Sequence, residues 1–271
     1  MMIRPLLTPR LLLLPRLSLL LAVCSARAVG AQVPTPPLPD QNSFLQQVRG
    51  TLQGDRLLQS QYAYREKRTD VRLNDHGEVI GRSEKVFDRN AVLERVRQIE
   101  HESPSQREKR LRSEAEDRQK ENGIIDEAFC MYDFQMIGRE RLDGYDAILF
   151  TLVPVSGFVP RTSEGKLLQK FSGRAWIAES DYQLIRLEVD AIDDISMGLG
   201  LLARFYKGSH VVFGRRKVSD AVWLPSELRY SGGGRVLLVK KLWVEGVREY
   251  SDYQKFSADL LPALLRPHPG R

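Results

Sequence analysis

Histidines and acidic residues are the first candidates for chemistry in this sequence, and neither set forms a recognisable site. The histidines are scattered along the chain, at His76, His101, His210 and His268. No two of them have the short spacing that brings zinc ligands together. The clustered acidic residues are Glu188, Asp190, Asp193 and Asp194. They lack the loop pattern of a calcium site, so we interpret them as the solvated end of a strand.

Short serine and glycine motifs do not indicate a catalytic or cofactor site either. Ser156 and Ser172 each precede a glycine, but no Gly-x-Ser-x-Gly motif of a nucleophile elbow surrounds them. The Gly-Leu-Gly segment at 198–200 lacks the third glycine and the strand–helix context of a dinucleotide site. We therefore predict no catalytic residue, no cofactor and no metal, and we expect that the protein is not an enzyme.

Large apolar side chains are more informative, because they are spaced to line a cavity. The candidate cavity residues are Trp176, Ile185, Leu187, Val189, Phe205, Phe213 and Trp223. Apolar ligand sites are concave and mostly hydrophobic, although ordinary packing between strands and a covering helix is the alternative interpretation. The candidate lid residues are Met197, Leu199, Leu201 and Leu202. Their glycine neighbours suit a movable lid, and the alternative is a loop or short helix that folds onto the core.

The candidate cavity residues fall on segments with the alternation of β-strands. Ile185, Leu187 and Val189 alternate with charged residues, and this period of two predicts that they share one face of a strand. A short polar break joins this strand to the one that contains Trp176, which predicts a hairpin. Counting similar segments gives about nine or ten antiparallel strands. We predict a mainly β (α+β) fold, a large antiparallel sheet that curves around its apolar face, with helices packed into the concave side.

Helical patterns and turn signals complete this fold. A first helix is expected after Asp40 or Asn42, and its apolar side is predicted to pack, together with segment 197–205, into the concave side of the sheet. Residues 103–122 predict a solvated, highly charged helix that stops at Asn122-Gly123. The Ser-Gly-Gly-Gly segment at 231–234 predicts a turn before a closing strand over 236–250. Cys130 is expected to be a buried small side chain.

The ends of the chain indicate an exported protein. Residues 1–31 have the basic start, short apolar core and small-residue cleavage site of a signal peptide. Lipid attachment at Cys24 is the alternative way of processing it. A proline-rich linker at 32–41, a half-barrel domain at 42–256 and a C-terminal tail at 257–271 follow. The net charge of +6 includes no basic stripe with interleaved aromatics, so we predict no nucleic-acid partner.

Four segments resemble a known superfamily. They are Tyr-Ala-Tyr-Arg-Glu-Lys at 62–67, Gly-Arg-Ala-Trp-Ile-Ala-Glu-Ser-Asp-Tyr-Gln-Leu-Ile-Arg-Leu-Glu at 173–188, Ala-Val-Trp-Leu-Pro-Ser-Glu-Leu at 221–228 and Tyr-Ser-Asp-Tyr-Gln-Lys-Phe at 250–256. This pattern resembles the LolA/LolB-like periplasmic lipoprotein carriers and receptors, in particular their uncharacterised bacterial relatives. The chain departs from that pattern at Ala178, where an aspartate is common, and in the charged helix at 103–122.

The resemblance implies a half-open barrel that holds acyl chains of lipids or lipoproteins in a hydrophobic hollow. We therefore expect a periplasmic or otherwise exported carrier or receptor, with contact at a membrane surface as a further expectation. The alternative is a non-enzymatic structural or interaction module of the cell envelope, whose barrel is filled by its own side chains. A packed interior would favour the module, and an open apolar interior would favour the carrier.

Overall fold

The computed structural model describes residues 36–59, 61–89, 102–197, 203–219, 222–236 and 240–255. The chain divides into two compact units, Met1–Pro37 and Leu38–Arg271, and every element below belongs to the second unit. The predicted signal peptide, Cys24 and the C-terminal tail lie outside the described residues.

Three helices and eleven strands make up the described part of the chain. The helices are α1 (Gln41–Gln59), α2 (Pro104–Met131) and α3 (Ser163–Leu168). The first six strands are β1 (Tyr62–Leu73), β2 (Val79–Arg89), β3 (Tyr132–Leu142), β4 (Tyr145–Pro154), β5 (Phe171–Ala178) and β6 (Leu184–Ala191). The others are β7 (Ile195–Met197), β8 (Ala203–Phe205), β9 (His210–Ser219), β10 (Val222–Val236) and β11 (Lys240–Lys255).

The strands form one antiparallel sheet in the order β2-β1-β11-β10-β9-β6-β5-β4-β3. Strand β7 pairs with β8, and β8 pairs with the end of β10, so both lie beside the main order. The first and last strands of that order, β2 and β3, do not pair with each other, and the sheet is therefore not closed. These observations confirm the predicted half-open antiparallel barrel with helices.

Helix α1 packs against one face of this sheet, as predicted. Asp40 caps the helix, since its side chain accepts a hydrogen bond from the Ser43 amide at 2.9 Å. Phe44 and Val48, one helical turn apart, are buried in a cluster with residues of β4 and β5. We call the sheet face in this cluster, marked by Phe150, the inner face. The opposite face, marked by Trp176, is the outer face.

Helix α2 differs from its prediction at its C-terminal end. A capping box at Ser103 and Gln106 starts it where the sequence indicates. It then continues through Gly123 and ends only at Met131. A single interior glycine costs about 1 kcal/mol of helix stability, which tertiary packing readily offsets. Cys130 therefore lies on this helix, and it is exposed, which corrects the expectation of a buried thiol.

The glycines of residues 231–234 lie inside a strand, so the predicted turn there is wrong. Strand β10 continues through Gly233 and Gly234 to Val236, and the final strand begins later than predicted, at Lys240. Glycine is required because neighbouring side chains occupy the space that a side chain would need. A Cβ at Gly232 would lie 2.3 Å from the Ser209 hydroxyl oxygen.

The segment 197–205 also differs from its prediction. Its ends belong to the paired strands β7 and β8 instead of a plug against the concave side. Gly234 of β10 pairs with Phe205, so this strand pair is joined to the sheet at the C-terminal end of β10. Residues 198–202, which join the two strands, lie outside the described residues.

Candidate functional site

An apolar hollow of about 350 Å³ lies between the inner face and the helices. The helices contribute Leu45, Val48, Leu52, Ala128, Phe129 and Leu168. The strands contribute Tyr132, Phe134, Phe150, Leu152, Phe171, Ala175, Ile177, Leu184, Leu187, Val189 and Val211. Among the described residues, every lining side chain is aliphatic or aromatic, so the hollow suits a hydrocarbon group.

Side-chain hydrogen bonds fix α1 across the hollow. Gln41 at its start forms two bonds with the β3 backbone: its amide nitrogen donates to the Phe134 carbonyl at 2.8 Å, and its amide oxygen accepts from the Met136 amide at 2.9 Å. Farther along, the Thr51 hydroxyl donates to the Tyr182 carbonyl at 2.9 Å. These bonds join α1 to β3 and to the loop between β5 and β6, so α1 is held as a roof over the hollow.

A polar contact joins α1 to α2 above the hollow. Asp126 of α2 accepts hydrogen bonds from Arg49 Nε at 2.7 Å and from the Gln53 amide at 2.6 Å. The next turn of α2 places Phe129 against Phe134 of β3, with ring centroids 5.2 Å apart. The part of α2 that the sequence prediction omitted therefore forms one wall of the hollow.

Glu127 anchors the loop that precedes α3 to the same helix. Its carboxylate accepts hydrogen bonds from the Arg161 amide and from the Thr162 hydroxyl. The Thr162 hydroxyl bond contributes most to holding the pKa of Glu127 below its ordinary value. The carboxylate stays ionised at neutral pH, and it fixes the loop that positions Leu168 beside the hollow.

Within the part of the chain that the structure describes, Tyr132 is the lining side chain with a hydroxyl group. Its hydroxyl donates to the Leu168 carbonyl at 2.5 Å and lies 3.2 Å from the Phe171 carbonyl. Burial raises the pKa of Tyr132 to about 12, so the group is neutral at physiological pH. Because the hydroxyl bonds to backbone carbonyls, the ring presents its apolar surface to the hollow.

Two of the candidate cavity residues, Leu187 and Val189, line the hollow, whereas Ile185 lies on the outer face. The prediction that all three share one face is therefore wrong for Ile185. The register of β5 with β6 shifts at this point: Trp176 pairs with Arg186, but Ile177 pairs with Leu184. The resulting bulge reverses the alternation, so Leu184 takes the inner position and Ile185 the outer one.

Trp176 and Trp223, also candidate cavity residues, belong to the outer cluster with Ile185. The Trp223 side chain has 0% exposure, and its ring lies 4.7 Å from that of Tyr145. Its indole nitrogen donates to Asp181 at 2.9 Å, in the loop between β5 and β6. The Trp176 indole donates to Glu140 of β3 at 2.7 Å. Both rings are thus fixed away from the lining of the hollow.

The remaining candidates lie farther along the sheet. Phe213 pairs with Leu187, which places it on the inner face, one strand beyond the lining residue. Phe205 lies in β8 and pairs with Ile195. Of the candidate lid residues, Met197 ends β7, and the others, Leu199, Leu201 and Leu202, lie outside the described residues.

Sequence reasoning missed most of the strand residues that line the hollow. Phe150 and Leu152 of β4 lie in an apolar run, Ala-Ile-Leu-Phe-Thr-Leu-Val, that shows no alternation. Such a run indicates a strand buried on both faces, but it does not distinguish the two faces. Ala175 and Ile177 flank Trp176 in the same strand. The prediction chose the large tryptophan ring, whereas its two smaller neighbours on the opposite face line the hollow.

The described residues include neither a metal-binding group of side chains nor a helix suited to span a membrane. Within those ranges, no three His, Cys, Asp or Glu side chains are grouped in a way that could hold a metal ion. None of the helices that the structure describes is both long and apolar enough to cross a membrane.

The described strands and helices define a half-open antiparallel barrel that contains an apolar hollow. No protein-family model and no curated protein matches the chain. Among solved structures, a domain from Vibrio parahaemolyticus described as an outer membrane lipoprotein-sorting protein domain is 13% identical, with a TM-score of 0.25. The alignment covers 50% of this chain and 49% of that domain, so the chain matches about half its length.

Two other solved structures match more of the chain. A DUF1329 family protein from Desulfovibrio piger is 12% identical with a TM-score of 0.31, over 82% of this chain and 98% of that one. MucB, solved in complex with MucA(peri), is 9% identical with a TM-score of 0.22, over 81% of this chain and 100% of that one. At these identities the likeness concerns the fold alone.

Proposed function

We propose that this chain is an exported carrier or receptor that binds an acyl chain of a lipid or lipoprotein in its inner hollow. The hollow itself is the observation that supports this function, since it is roofed by α1 and lined by apolar side chains. Each buried methylene group contributes about 0.8 kcal/mol, so eight of them would contribute about 6 kcal/mol before the losses of association.

The alternative function, a structural module of the envelope, requires an interior filled by the protein's own side chains. Protein interiors are normally packed as densely as organic crystals, with few voids larger than a water molecule. A hollow of about 350 Å³ departs from that density. The open interior therefore favours a binding protein over a self-filled module.

Export remains part of the proposal. The signal peptide at 1–31 and the alternative lipid anchor at Cys24 make distinct predictions for the mature N-terminus. Mass spectrometry of the protein purified from a bacterial envelope would find a chain that begins near Gln32 in the first case. It would find an acylated Cys24 in the second, and an intact Met1 would contradict export.

Binding is tested with N-phenyl-1-naphthylamine, an uncharged probe whose fluorescence rises in apolar surroundings. The wild-type chain is expected to raise the fluorescence in a saturable manner. Ala175→Phe places a ring in the hollow and should weaken binding at least about tenfold, since displacing two methylene contacts costs about 1.6 kcal/mol.

Val153→Phe is the matched control, because Val153 lies on the same sheet region but is 50% exposed and does not line the hollow. This variant is expected to bind the probe as the wild type does. Absence of any saturable signal from the wild-type chain, or equal loss in the two variants, would rule out binding in the hollow.

A further inference from the structure

The inner face continues beyond the hollow and changes from apolar to basic. One row of paired residues crosses six strands, in the order Leu187, Phe213, Leu228, Arg248, Arg68 and Lys85. Residues that pair across antiparallel strands project from the same side of a sheet. The basic end of this row therefore shares the face of Leu187, which lines the hollow.

Five cations form what we call the basic patch: Arg68, Arg72, Lys85, Arg89 and Arg248. Two carboxylates on the same face, Glu66 and Asp70, form ion pairs with members of the patch. The five cations therefore exceed these two carboxylates by three positive charges. Such an excess attracts anions to this end of the face.

Glu66 holds two arginines of the patch in place. Glu66 is 5% exposed, and its carboxylate accepts hydrogen bonds from Arg68 Nε at 2.6 Å and Nη2 at 2.9 Å. Arg89 Nε donates to the same carboxylate at 3.1 Å. The two guanidinium groups also lie over the ring of Phe87, 4.7 and 4.8 Å from its centroid. Their positions are thus fixed before any ligand arrives.

A second cluster places Arg248 next to the hollow. The Tyr230 hydroxyl donates to Asp70 at 2.6 Å, and Arg248 Nη2 donates to the same Asp70 oxygen at 2.9 Å and to the Tyr230 hydroxyl at 2.8 Å. Tyr230 pairs with Val211, a lining residue of the hollow. Neighbouring strands are about 4.8 Å apart, so this polar cluster begins one strand from the hollow.

Gly246 makes this arrangement possible. It pairs with Tyr230, and a Cβ at this position would lie 2.1 Å from the Tyr230 ring. The tyrosine ring therefore occupies the space above the glycine and brings its hydroxyl to Asp70. Gly246 lies in a strand and does not have a positive φ. Glycine is needed there because the Tyr230 ring fills the space of a side chain.

Arg72 and Lys85 are the cations available to a ligand. Neither has a carboxylate partner within the residues that the structure describes. Arg72 extends over Gly81 of β2, where a Cβ would come within 2.9 Å of its Nη2. Its guanidinium therefore lies along the inner face, in the same basic patch as the paired arginines.

We propose that the basic patch binds the anionic head group, a phosphate, sulfate or carboxylate, of an amphiphile whose chain occupies the hollow. This inference rests on the proposed function and specifies its ligand class. The shared inner face places the apolar and anionic parts of one molecule on adjoining surfaces. Guanidinium groups suit such oxyanions because they donate paired hydrogen bonds.

Three amphiphiles with the same dodecyl chain test the head group, each titrated by calorimetry below its micelle concentration. They are monododecyl phosphate, dodecyl maltoside and dodecyltrimethylammonium. The whole wild-type chain is expected to prefer the phosphate to the maltoside by about tenfold, as charge-assisted hydrogen bonds allow. The preference should shrink as salt is raised to about 0.5 M, because salt screens exposed charges.

The variant Arg72→Gln/Lys85→Gln removes the two available cations and should abolish most of this preference while leaving maltoside binding unchanged. Arg82→Gln/Lys109→Gln, on other surfaces, removes the same charge and should preserve the preference. Equal binding of the three head groups, or equal effects of the two double variants, would overturn the head-group inference while leaving chain binding intact. Absence of binding by all three amphiphiles would instead overturn the proposed function and this inference together.

Two other ligands separate the possible sources of the anion. Inorganic phosphate is expected to compete only weakly with monododecyl phosphate, because it cannot fill the hollow. If phosphate alone binds as tightly as the amphiphile, the patch is a free-anion site and the inference is wrong. Polyglutamate that binds the patch more tightly than the amphiphile would point to an acidic peptide and would also overturn it.

Discussion

Strands β4–β6 contribute to two apolar clusters, and the two clusters differ in how completely they are filled. On the outer face, Ile185, Trp176 and Trp223 pack with small and aliphatic residues, and Trp223 is completely buried. On the inner face, Phe150 and Ile177 pack against α1, yet a hollow of about 350 Å³ remains. Alternate residues of the same strands thus form a buried cluster on the outer face and a cluster that borders the hollow on the inner face.

Because of this difference, we expect the outer cluster to contribute mainly to the stability of the fold and the inner cluster to leave room for a ligand. A filled cluster gains dispersion energy from every contact, whereas atoms that border a void lose part of it. The outer cluster is therefore expected to provide more stability per side chain. The inner cluster forgoes some stability, and a ligand of suitable shape would restore the missing contacts.

The largest expected effect is that of Trp223→Ala in the outer cluster. The substitution removes a completely buried ring and its hydrogen bond to Asp181, so it should lower the free energy of unfolding by about 4 kcal/mol. Urea denaturation followed by circular dichroism measures this change. A loss smaller than about 1 kcal/mol would contradict the dense packing inferred for this cluster.

The pair Ile185→Ala and Leu187→Ala compares the two faces within one strand. Ile185 is 1% exposed and densely packed, so its truncation should cost about 3 kcal/mol. Leu187 already borders the hollow, and its truncation should cost about 1.5 kcal/mol. Only the Leu187 variant is expected to weaken binding of N-phenyl-1-naphthylamine. Similar effects of the two variants on binding would contradict the bulge that separates these residues.

An acid titration extends the comparison to the charged end of the inner face. Hydrogen bonds from Arg68 are the largest contribution to lowering the pKa of Glu66 from its ordinary value of about 4.5. The ionised Glu66 thus stabilises the fold above about pH 4.5, and this stabilisation is lost as the pH falls through the lowered folded-state value. Glu66→Gln should cost about 2 kcal/mol at neutral pH.

The diagnostic measurement is how the free energy of unfolding changes between about pH 6 and pH 3. The wild type should lose more stability over this range than Glu66→Gln does, since the variant has no proton to take up at this position. Parallel curves for the two proteins would show that Glu66 has the same pKa in the folded and unfolded states.

The smallest expected effect is that of Glu140→Ala at the edge of the outer cluster. The Trp176 indole loses its hydrogen-bond acceptor, at a cost of about 1 kcal/mol, while its ring stays packed. Binding of the uncharged probe should not change, because Trp176 does not line the hollow. Weaker binding by this variant would mean that a change on the outer face alters the hollow on the inner face.

Local signals in the sequence predicted much of this fold. Asp40 and the apolar spacing of Phe44 and Val48 correctly predicted α1 and its packing. The turn before β4 consists of Asp143 and Gly144, a pair that is typical of hairpin turns. Both residues of that turn have positive φ, 51° and 87°. The mistaken end of α2 and the mistaken turn at 231–234 arose from glycines. A glycine marks a possible break, and only the neighbouring residues decide whether the element continues.

By itself, the sequence determined the mainly β, antiparallel class, because alternation and turn chemistry act over a few residues. Only the tertiary structure decided which apolar residues surround the hollow. The bulge at Ile185 depends on how β5 pairs with β6, and the roof depends on α1 reaching β3 across the chain. A one-residue change of register reverses the face of a side chain, and no local pattern records the register of a distant partner.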